Sequence, residues 1–176
     1  TQAKRIAEMI DGVVVSGGDI LRHAKDNIEV QNIMANGGII PSDLFLSIIR
    51  PFFSHDDIND KPLLLSSVGR LMEEVPTVIK ATNDSGHEIK AVIVLELTDK
   101  DVWRHYEISQ SLNDRGQRAD DTKNALKKRL TEYNKTKPVI DYYRSMSLVL
   151  DIDDTKDTDD VTVEIIDALY SFATQS

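Results

Sequence analysis

The chain has 176 residues, a hydrophobic fraction of 40% and a formal net charge of −9. This size and apolar content allow one substantial core, so one main domain is expected. The acidic balance argues against binding to nucleic acid, because a phosphate backbone requires a basic face. The sequence has no cysteine, which excludes disulfides and thiolate metal sites, and no apolar run reaches the roughly 18 residues of a membrane span. We therefore expect a cytoplasmic protein with neither nucleic acid nor membrane as a partner.

The chain opens directly on a helical pattern. Apolar residues follow helical spacing almost from the first position, with no initiator methionine and no clear cap. This pattern predicts a helix whose beginning has been cut away. A short buried strand is predicted at residues 13–15, and a turn with capping residues at 16–19 leads into a second helix.

The next part of the chain contains a helix, a loop and a second strand. Ser42 or Asp43 is expected to cap a helix over residues 44–49. A polar loop is predicted for residues 52–61, because prolines bracket it. The apolar run at residues 63–65 then predicts the second strand.

The second half alternates strands and helices more clearly. We predict strands at residues 91–97 and 148–152, helices at 99–108 and 161–172, and a polar loop at 109–117. Strands separated by helices indicate βαβ units and a mainly parallel sheet. Ligands bind such sheets outside the carboxyl ends of the strands.

Two arginines lie near the start of one further predicted helix. Arg118 precedes Asp120 and Asp121, whose carboxylates suit a helix N-terminus. Arg129 lies beside an apolar stripe at helical spacing formed by Leu126, Leu130 and Tyr133. Two converging guanidiniums suit the binding of a polyphosphate. The alternative is two surface arginines that pair with the many acidic side chains.

Polar loops follow three of the predicted strands. Arg22 follows the loop after the first strand, and Arg70 lies in the loop after the second. The polar segment after Leu97 follows the third. Because the carboxyl ends of parallel strands meet at one edge of a sheet, these loops favour a phosphate-binding site.

Several motifs occur along the chain in a recognisable order. They are TQA at residues 1–3, SGGDILR at 16–22, GGIIPSD at 37–43, SSVGR at 66–70, RGQRADD at 115–121, LTEY at 130–133 and TKPVIDYY at 136–143. In this order they resemble the adenylate kinases, or more broadly the nucleoside monophosphate kinases of the P-loop class. The resemblance implies an α/β fold with a three-layer, P-loop-type parallel sheet, helices on both faces, four strands present and the first strand missing.

The resemblance also implies a domain organisation. Residues 1–176 would form a single kinase domain, and by analogy with short-lid relatives we expect a monomer. Its core would comprise residues 1–23, 62–108 and 122–176. A monophosphate-binding insertion would span about 24–61, and a short lid about 109–121.

The resemblance assigns roles to particular residues. Arg70, Arg118 and Arg129 would be catalytic and would also bind the monophosphate. The other monophosphate-binding residues would be Gly17, Arg22, Gly38, Ile39, Ile40, Gly69 and Glu74. The ATP-binding residues would be Thr1, Arg115, Asp154 and Lys156. No residue is expected to be a metal ligand, because Mg²⁺ would arrive with ATP.

Glu74 stands where a base-recognising glutamine is common in the resembled family. A carboxylate accepts hydrogen bonds but does not donate them, so it could pair with the amino group of adenine or with the N–H donors of guanine. Adenine is the first expectation and guanine the second.

The implied activity is reversible transfer of the γ-phosphoryl group of ATP to AMP, with GMP as another possible acceptor. Some positions depart from the family pattern: Ser66 replaces an aspartate, His105 an arginine and Gly17 a threonine. The Gly-rich phosphate loop is not among the 176 residues, so the chain as written is expected to be inactive or nearly so. The alternative is a degenerate kinase-like protein that binds a nucleotide or a partner.

Overall fold

The computed structural model describes residues 2–36, 38–54, 58, 60–112 and 122–175. Its α-helices are α1 (Gln2–Ile10), α2 (Gly17–His23), α3 (Ile28–Ala35), α4 (Ser42–Ile49), α5 (Val75–Asp84), α6 (Asp99–Leu112), α7 (Lys123–Tyr133), α8 (Lys137–Ser145) and α9 (Thr158–Gln175). Its strands are β1 (Val13–Ser16), β2 (Leu63–Ser66), β3 (Val92–Glu96) and β4 (Val149–Asp153). A short 3-10 helix, Arg50–Ser54, follows α4. Strands alternate with helices, and the predicted α/β class is confirmed.

The described strands form two parallel pairs. β1 pairs with β2 so that Ser16 lies opposite Ser66. β3 pairs with β4 so that Val92 lies opposite Val149. A parallel pair needs a crossover connection, and helices supply it between the members of each pair. The predicted parallel arrangement is therefore confirmed.

One helical layer covers both strand pairs. The buried cluster at this layer consists of Ile6 of α1, Val161 and Ile165 of α9, and Ile152 of β4. Leu64 of β2 and Ile93 of β3 both pack against this cluster, although the ladders of the described strands do not join β2 to β3. The two pairs thus share the α1 and α9 layer without forming one continuous ladder.

A second layer covers the other face of the β3–β4 pair. Its buried cluster consists of Val75, Val139 and Tyr143, from α5 and α8. Val92 and Val149 pack against it, whereas the neighbouring Ile93 packs against the first layer. Successive strand residues point to opposite faces of a sheet, so helices cover both faces as predicted.

A third cluster holds α2, α3 and α4 against β2. Its buried members are Leu21, Val30, Ile40, Phe45, Ile49 and Phe53. Leu63 and Leu65 of β2 pack against it, while Leu64 between them faces the α1 and α9 layer. Each fully buried aliphatic side chain contributes on the order of 1.5–3 kcal/mol relative to exposure. This burial fixes the segment that the sequence assigns to the acceptor nucleotide.

Two predicted helix starts differ in the structure. α4 already begins at Ser42, and Pro41 precedes it, so neither Ser42 nor Asp43 caps the helix with its side chain. The Ser42 hydroxyl instead lies 2.7 Å from a carboxylate oxygen of Glu73. For α7, the Thr122 hydroxyl accepts a hydrogen bond from the backbone N–H of Ala125 at 3.1 Å. The other predicted cap, residues 120–121, lies outside the described residues.

Three further differences concern loops and faces. The predicted loop 52–61 opens inside the 3-10 helix, where Phe53 is buried. α6 continues to Leu112, through the start of the predicted loop 109–117. In α7 the buried residue is Ala125, while Tyr133 of the predicted stripe is 44% exposed. Leu126 and Leu130 of that stripe are half-buried, so only Tyr133 departs from the prediction.

α5 was not predicted from the sequence, although its pattern is helical. Val75, Val78 and Thr82 are buried at spacings of one helical face. Pro76 lies in the first turn, where proline is tolerated because the N–H it lacks would have no partner in the helix.

In the part of the chain that the structure describes, no helix has both the length and the apolar character to cross a bilayer.

Candidate active site

The carboxyl ends of β1 and β2 lie side by side. Ser16 ends β1, and Ser66 ends β2 directly opposite it. Arg22 follows in α2, and Arg70 follows in the loop after β2; both are half-buried. Parallel pairing therefore brings both arginine-bearing segments to the edge of the sheet where ligands bind in such folds.

Gly17 allows these two segments to approach closely. A Cβ placed on Gly17 would lie 2.6 Å from the carbonyl oxygen of Ser67 and 3.1 Å from Cε2 of Phe45. The carbonyl belongs to the backbone and cannot rotate away as the end of a side chain can. Packing in this chain therefore requires glycine at a position where the resembled family carries threonine.

The loop after β2 is folded by two residues in the left-handed region. Ser67 has φ 56° and Gly69 has φ 73°. Glycine adopts this conformation without a steric cost, whereas a residue with a Cβ such as Ser67 loses on the order of 1 kcal/mol. This loop conformation fixes the backbone position from which the side chain of Arg70 extends.

Arg70 and Arg129 are close enough to affect each other electrostatically. Burial is the largest cause that lowers the pKa of Arg70; Glu74 raises it, the charge of Arg129 lowers it, and Glu132 raises it. Both arginines are half-buried, and guanidinium groups stay charged in proteins. Two neighbouring positive charges with restricted access to water form a favourable site for an anion with several oxygens.

Glu74, which ends the turn before α5, is 3% exposed. One of its carboxylate oxygens, Oε2, accepts hydrogen bonds from the backbone N–H of Arg70 at 2.8 Å and of Leu71 at 3.2 Å. The Ser42 hydroxyl lies 3.3 Å from the other oxygen, Oε1. Burial raises the pKa of Glu74, and these hydrogen bonds and Arg70 oppose the rise.

Arg22 folds back along the first turn of α2. Its Nη2 donates to a carboxylate oxygen of Asp19. The hydrogen bond from Arg22 is the largest cause that lowers the pKa of Asp19. Both terminal nitrogens of Arg22 lie 3.4 Å from the position that a Cβ on Gly18 would take. The guanidinium of Arg22 is therefore already engaged in an ion pair with its own helix.

Lys128 of α7 reaches the segment before α4. Its Nζ lies 3.5 Å from the position that a Cβ on Gly38 would occupy. The same Cβ would lie 2.9 Å from Cγ2 of Ile33, so Gly38 keeps this approach open. Lys128 was not among the predicted site residues; the signal that could have found it is its place next to Arg129.

The two isoleucines after Gly38 differ in burial. Ile40 is 5% exposed and belongs to the cluster that anchors α4 to β2. Ile39 is half-buried. Because the side chain of Ile40 is committed to the core, this residue offers a ligand chiefly its backbone.

A second group of predicted residues lies beyond the carboxyl end of β4. Asp154 is half-buried, and burial raises its pKa while the nearby His105 lowers it. Nη2 of Arg104 in α6 donates to the carbonyl oxygen of Thr155 at 3.1 Å. Lys156 forms an ion pair with Glu164 at 2.6 Å. α6 therefore contacts the loop that the sequence assigns to ATP.

A surface cavity lies elsewhere, between the 3-10 helix and α5. It is lined by Arg50, Phe53, Ser54, Ala81, Asp84 and Ser85. None of the predicted site residues lines it. The candidate site is therefore defined by strand ends and by charge, and this cavity plays no part in it.

Known proteins of similar sequence decide the family. A sequence model of adenylate kinase matches residues 1–148. The adenylate kinase of Parvibaculum lavamentivorans is 32% identical over 171 residues, which cover 94% of this chain and 83% of that protein. The chain belongs to the adenylate kinase family.

Two further adenylate kinases are similar over nearly their whole length. The protein of Listeria monocytogenes is 30% identical and aligns with 98% of this chain and 94% of its own length. The protein of Fusobacterium nucleatum is 28% identical, with 96% and 92% covered. The resemblance seen in the sequence is confirmed, and membership in the family makes the chain a nucleotide-binding phosphotransferase.

Within the described residues of this adenylate kinase family member, the predicted site residues lie in two groups. At the ends of β1 and β2, with α7, lie Gly17, Arg22, Gly69, Arg70, Glu74 and Arg129, and Gly38 faces α7 through Lys128. At the end of β4 lie Asp154 and Lys156. Three further predicted residues, Thr1, Arg115 and Arg118, lie outside the described residues, as does most of the predicted lid.

Proposed function

We propose that the protein transfers the γ-phosphoryl group of ATP to AMP, reversibly. The observation that carries the proposal is that Arg70, half-buried in the loop at the carboxyl end of β2, lies within electrostatic reach of the half-buried Arg129 of α7. Like charges placed together are unfavourable unless an anion joins them. A phosphoryl group passing between two nucleotides is such an anion.

In this proposal the protein positions the nucleotides and offsets developing charge. Arg22 and Arg70 hold the phosphate of AMP, and Arg22 exchanges Asp19 for that phosphate. Arg129, with Arg118, bridges the two nucleotides. Phosphoryl transfer needs no covalent intermediate, so electrostatic stabilisation and alignment supply most of the catalysis.

The remaining predicted residues would complete the two nucleotide sites. Gly17, Gly38, Ile39, Ile40, Gly69 and Glu74 would surround the acceptor, and Thr1, Arg115, Asp154 and Lys156 the donor. Mg²⁺ would enter bound to ATP, held mainly by phosphate oxygens and water, as is usual for this ion. Closure of a lid over about residues 109–121 would exclude water, which otherwise competes as the phosphoryl acceptor.

Three accompanying features of the protein stay predictions. They are a monomeric state, a cytoplasmic location and a single domain with a monophosphate-binding insertion at about residues 24–61. GMP is the second acceptor to consider, because a buried carboxylate such as Glu74 suits the N–H donors of guanine.

A second candidate function is nucleotide binding without catalysis. Ser66, His105 and Gly17 stand where the family has other residues, and Gly17 leaves no room for the family's threonine. These differences favour a scaffold that has lost its reaction. The retained pair of Arg70 and Arg129 favours the kinase, because packing alone gives no reason to place two guanidiniums together.

The deciding experiment measures phosphoryl transfer from Mg²⁺–ATP to AMP, GMP, UMP and CMP. The Gly-rich phosphate loop of the family is not among the 176 residues, so the assay uses the product of the complete coding sequence, with the 176-residue chain beside it. We expect AMP to be the best acceptor. Absence of transfer to all four acceptors, together with measurable nucleotide binding, would overturn the kinase in favour of the second candidate.

A further inference from the structure

The turn between β2 and α5 is closed on itself by one buried side chain. Glu74 directs Oε2 at two consecutive backbone N–H groups, those of Arg70 and Leu71. The backbone N–H of Glu74 donates to the carbonyl oxygen of Leu71 at 2.9 Å. Hydrogen bonds thus join both ends of this five-residue turn, and the residue at its start is Arg70.

The carboxylate of Glu74 also contacts the first residue of α4, in the proposed acceptor insertion. The Ser42 hydroxyl, at the start of α4, lies 2.7 Å from Oε1 of Glu73 and 3.3 Å from Oε1 of Glu74. A hydroxyl has one proton, so Ser42 shares it between the two carboxylates, and the bond to Glu73 is the shorter one. Glu73 and Glu74 together connect α4 to the turn that carries Arg70.

These contacts leave little of Glu74 for a nucleotide base. Oε2 is occupied by two N–H donors, Oε1 faces Ser42, and the residue is 3% exposed. Recognition of a base edge would require the side chain to leave at least two hydrogen bonds. A buried N–H group that loses its hydrogen-bond acceptor is unfavourable. The side chain of Glu74 is therefore favoured in its contacts with the turn over a contact with a base.

We propose that Glu74 is a positioning residue, which fixes the backbone of Arg70 and the start of α4 in the geometry that the acceptor phosphate requires. The inference rests on the proposed function, since it concerns the acceptor site of that reaction. It gives Glu74 a role different from the base recognition expected from the sequence. The two roles predict different behaviour of the same variants.

Glutamine is the variant that separates the two roles. In Glu74→Gln the amide oxygen can take the place of Oε2 and keep both backbone N–H bonds. The amide nitrogen then faces Ser42 and can donate to its hydroxyl oxygen, while that hydroxyl still donates to Glu73. Every hydrogen bond of the turn can therefore be kept. The negative charge is lost, however, and the hydrogen-bond donors and acceptors that the side chain could present to a base are different.

The experiment measures KM and kcat for AMP and GMP in Glu74→Gln and Glu74→Ala, with AMP binding measured by calorimetry. Glu74→Ala should raise KM and the dissociation constant about tenfold or more, by a similar factor for both acceptors, with a smaller change in kcat. Glu74→Gln should recover most of that loss and keep the order of acceptors. Glu8→Ala, an exposed glutamate of α1, is the control for a lost carboxylate.

The outcomes separate cleanly. If Glu74→Gln changes the ranking of AMP and GMP, Glu74 recognises the base and the proposal is wrong. An unchanged KM in Glu74→Ala would also overturn it. If Glu74→Ala does not fold, Glu74→Asp replaces it, because the shorter side chain cannot span both N–H groups and should show the same loss of AMP affinity.

Failure of the proposed function would look different. The wild-type protein would then bind AMP without transferring phosphate to it. The calorimetric comparison of the two variants would still decide the role of Glu74. If the wild-type protein binds no AMP, the inference fails together with the acceptor site.

Discussion

At the scale of single residues, the chemistry depends on where two guanidiniums lie. Arg70 follows β2 and Arg129 lies in α7, yet the charge of Arg129 affects the pKa of Arg70. Glu74 and Glu132 offset part of the repulsion. In the proposed reaction this pair binds the transferred anion, so a change at either arginine should affect the reaction more than the fold.

Arg129→Ala should lower kcat by at least about 100-fold, because a preorganised charge aimed at the transferred group is lost. The free energy of unfolding should change by no more than about 1 kcal/mol, since Arg129 is only half-buried. Steady-state kinetics and urea unfolding measure the two effects. Arg144→Ala, which removes an exposed arginine of α8, is the control. An unchanged rate in Arg129→Ala would contradict the assignment of the transferring arginine.

Gly17→Ala should destabilise the fold by roughly 1–3 kcal/mol, because the new methyl group meets a backbone carbonyl at 2.6 Å. The neighbouring Gly18→Ala is the matched control. Its methyl group meets only the mobile end of Arg22, at 3.4 Å, and alanine favours a helix. Urea unfolding should therefore separate the two variants. Equal stabilities would show that the contact with Ser67 is not restrictive.

Single residues were only partly predictable. The sequence selected Arg70 and Arg129 as candidates from motifs that are local properties of the chain, and the structure brings their charges within electrostatic reach. The sequence assigned Glu74 to base recognition because this residue stands where the resembled family commonly has a base-recognising glutamine. The side chain turned out to meet two backbone N–H groups of its own turn. Hydrogen bonds of this kind depend on the path of the backbone, which no residue pattern states.

At the scale of elements, α7 contributes more than its arginine. Lys128 lies against Gly38, in the segment that precedes α4. This contact joins the core helix that bears Arg129 to the proposed acceptor insertion. A flexible ammonium at this place adds positive charge beside the proposed acceptor insertion.

Lys128→Ala should raise KM for AMP about three- to tenfold with little change in kcat, because it removes a charge that attracts the acceptor and not the transferred group. The effect should shrink as salt concentration rises, since the ammonium is exposed. Lys127→Ala on the same helix is the control and should leave KM unaltered. If both variants raise KM equally, general attraction by α7 explains the result and the specific role is wrong.

The turn before α5 predicts a pH effect on stability. Burial raises the pKa of Glu74, so its carboxyl binds a proton more tightly in the folded than in the unfolded protein. Its contribution to stability is present below the unfolded pKa, about 4.3, and is lost as pH rises through the folded value. Glu74→Gln has no such titration. Urea unfolding at several pH values should therefore show the variant gaining stability relative to wild type as the pH rises above about 4. A difference that is flat or falls with pH would contradict the burial argument.

The elements themselves were predicted unevenly. The strands were located within one or two residues, because short apolar runs between turn signals are distinctive. α5 was missed although its spacing is helical, and the cap of α4 was misplaced. In the second case Ser42 is drawn to Glu73, a residue far along the chain, and does not serve its own helix.

At the scale of the whole molecule, two parallel strand pairs share one helical layer. The α1 and α9 layer contacts Leu64 of one pair and Ile93 of the other. α5 and α8 cover the opposite face of the β3–β4 pair. This arrangement places the proposed acceptor residues at the ends of β1 and β2 and the proposed donor residues at the end of β4.

The sequence by itself determined the α/β class, the parallel strands, the order of the motifs and the adenylate kinase family. The class and the strands follow from local periodicity, whereas the family follows from the resemblance of short motifs in their order along the chain. Only the tertiary structure decided that Gly17 must lack a side chain, that Lys128 meets Gly38 and that Glu74 closes the turn at Arg70. Each of these facts depends on how closely backbone segments approach in space, and that distance is set by the packing of the whole chain.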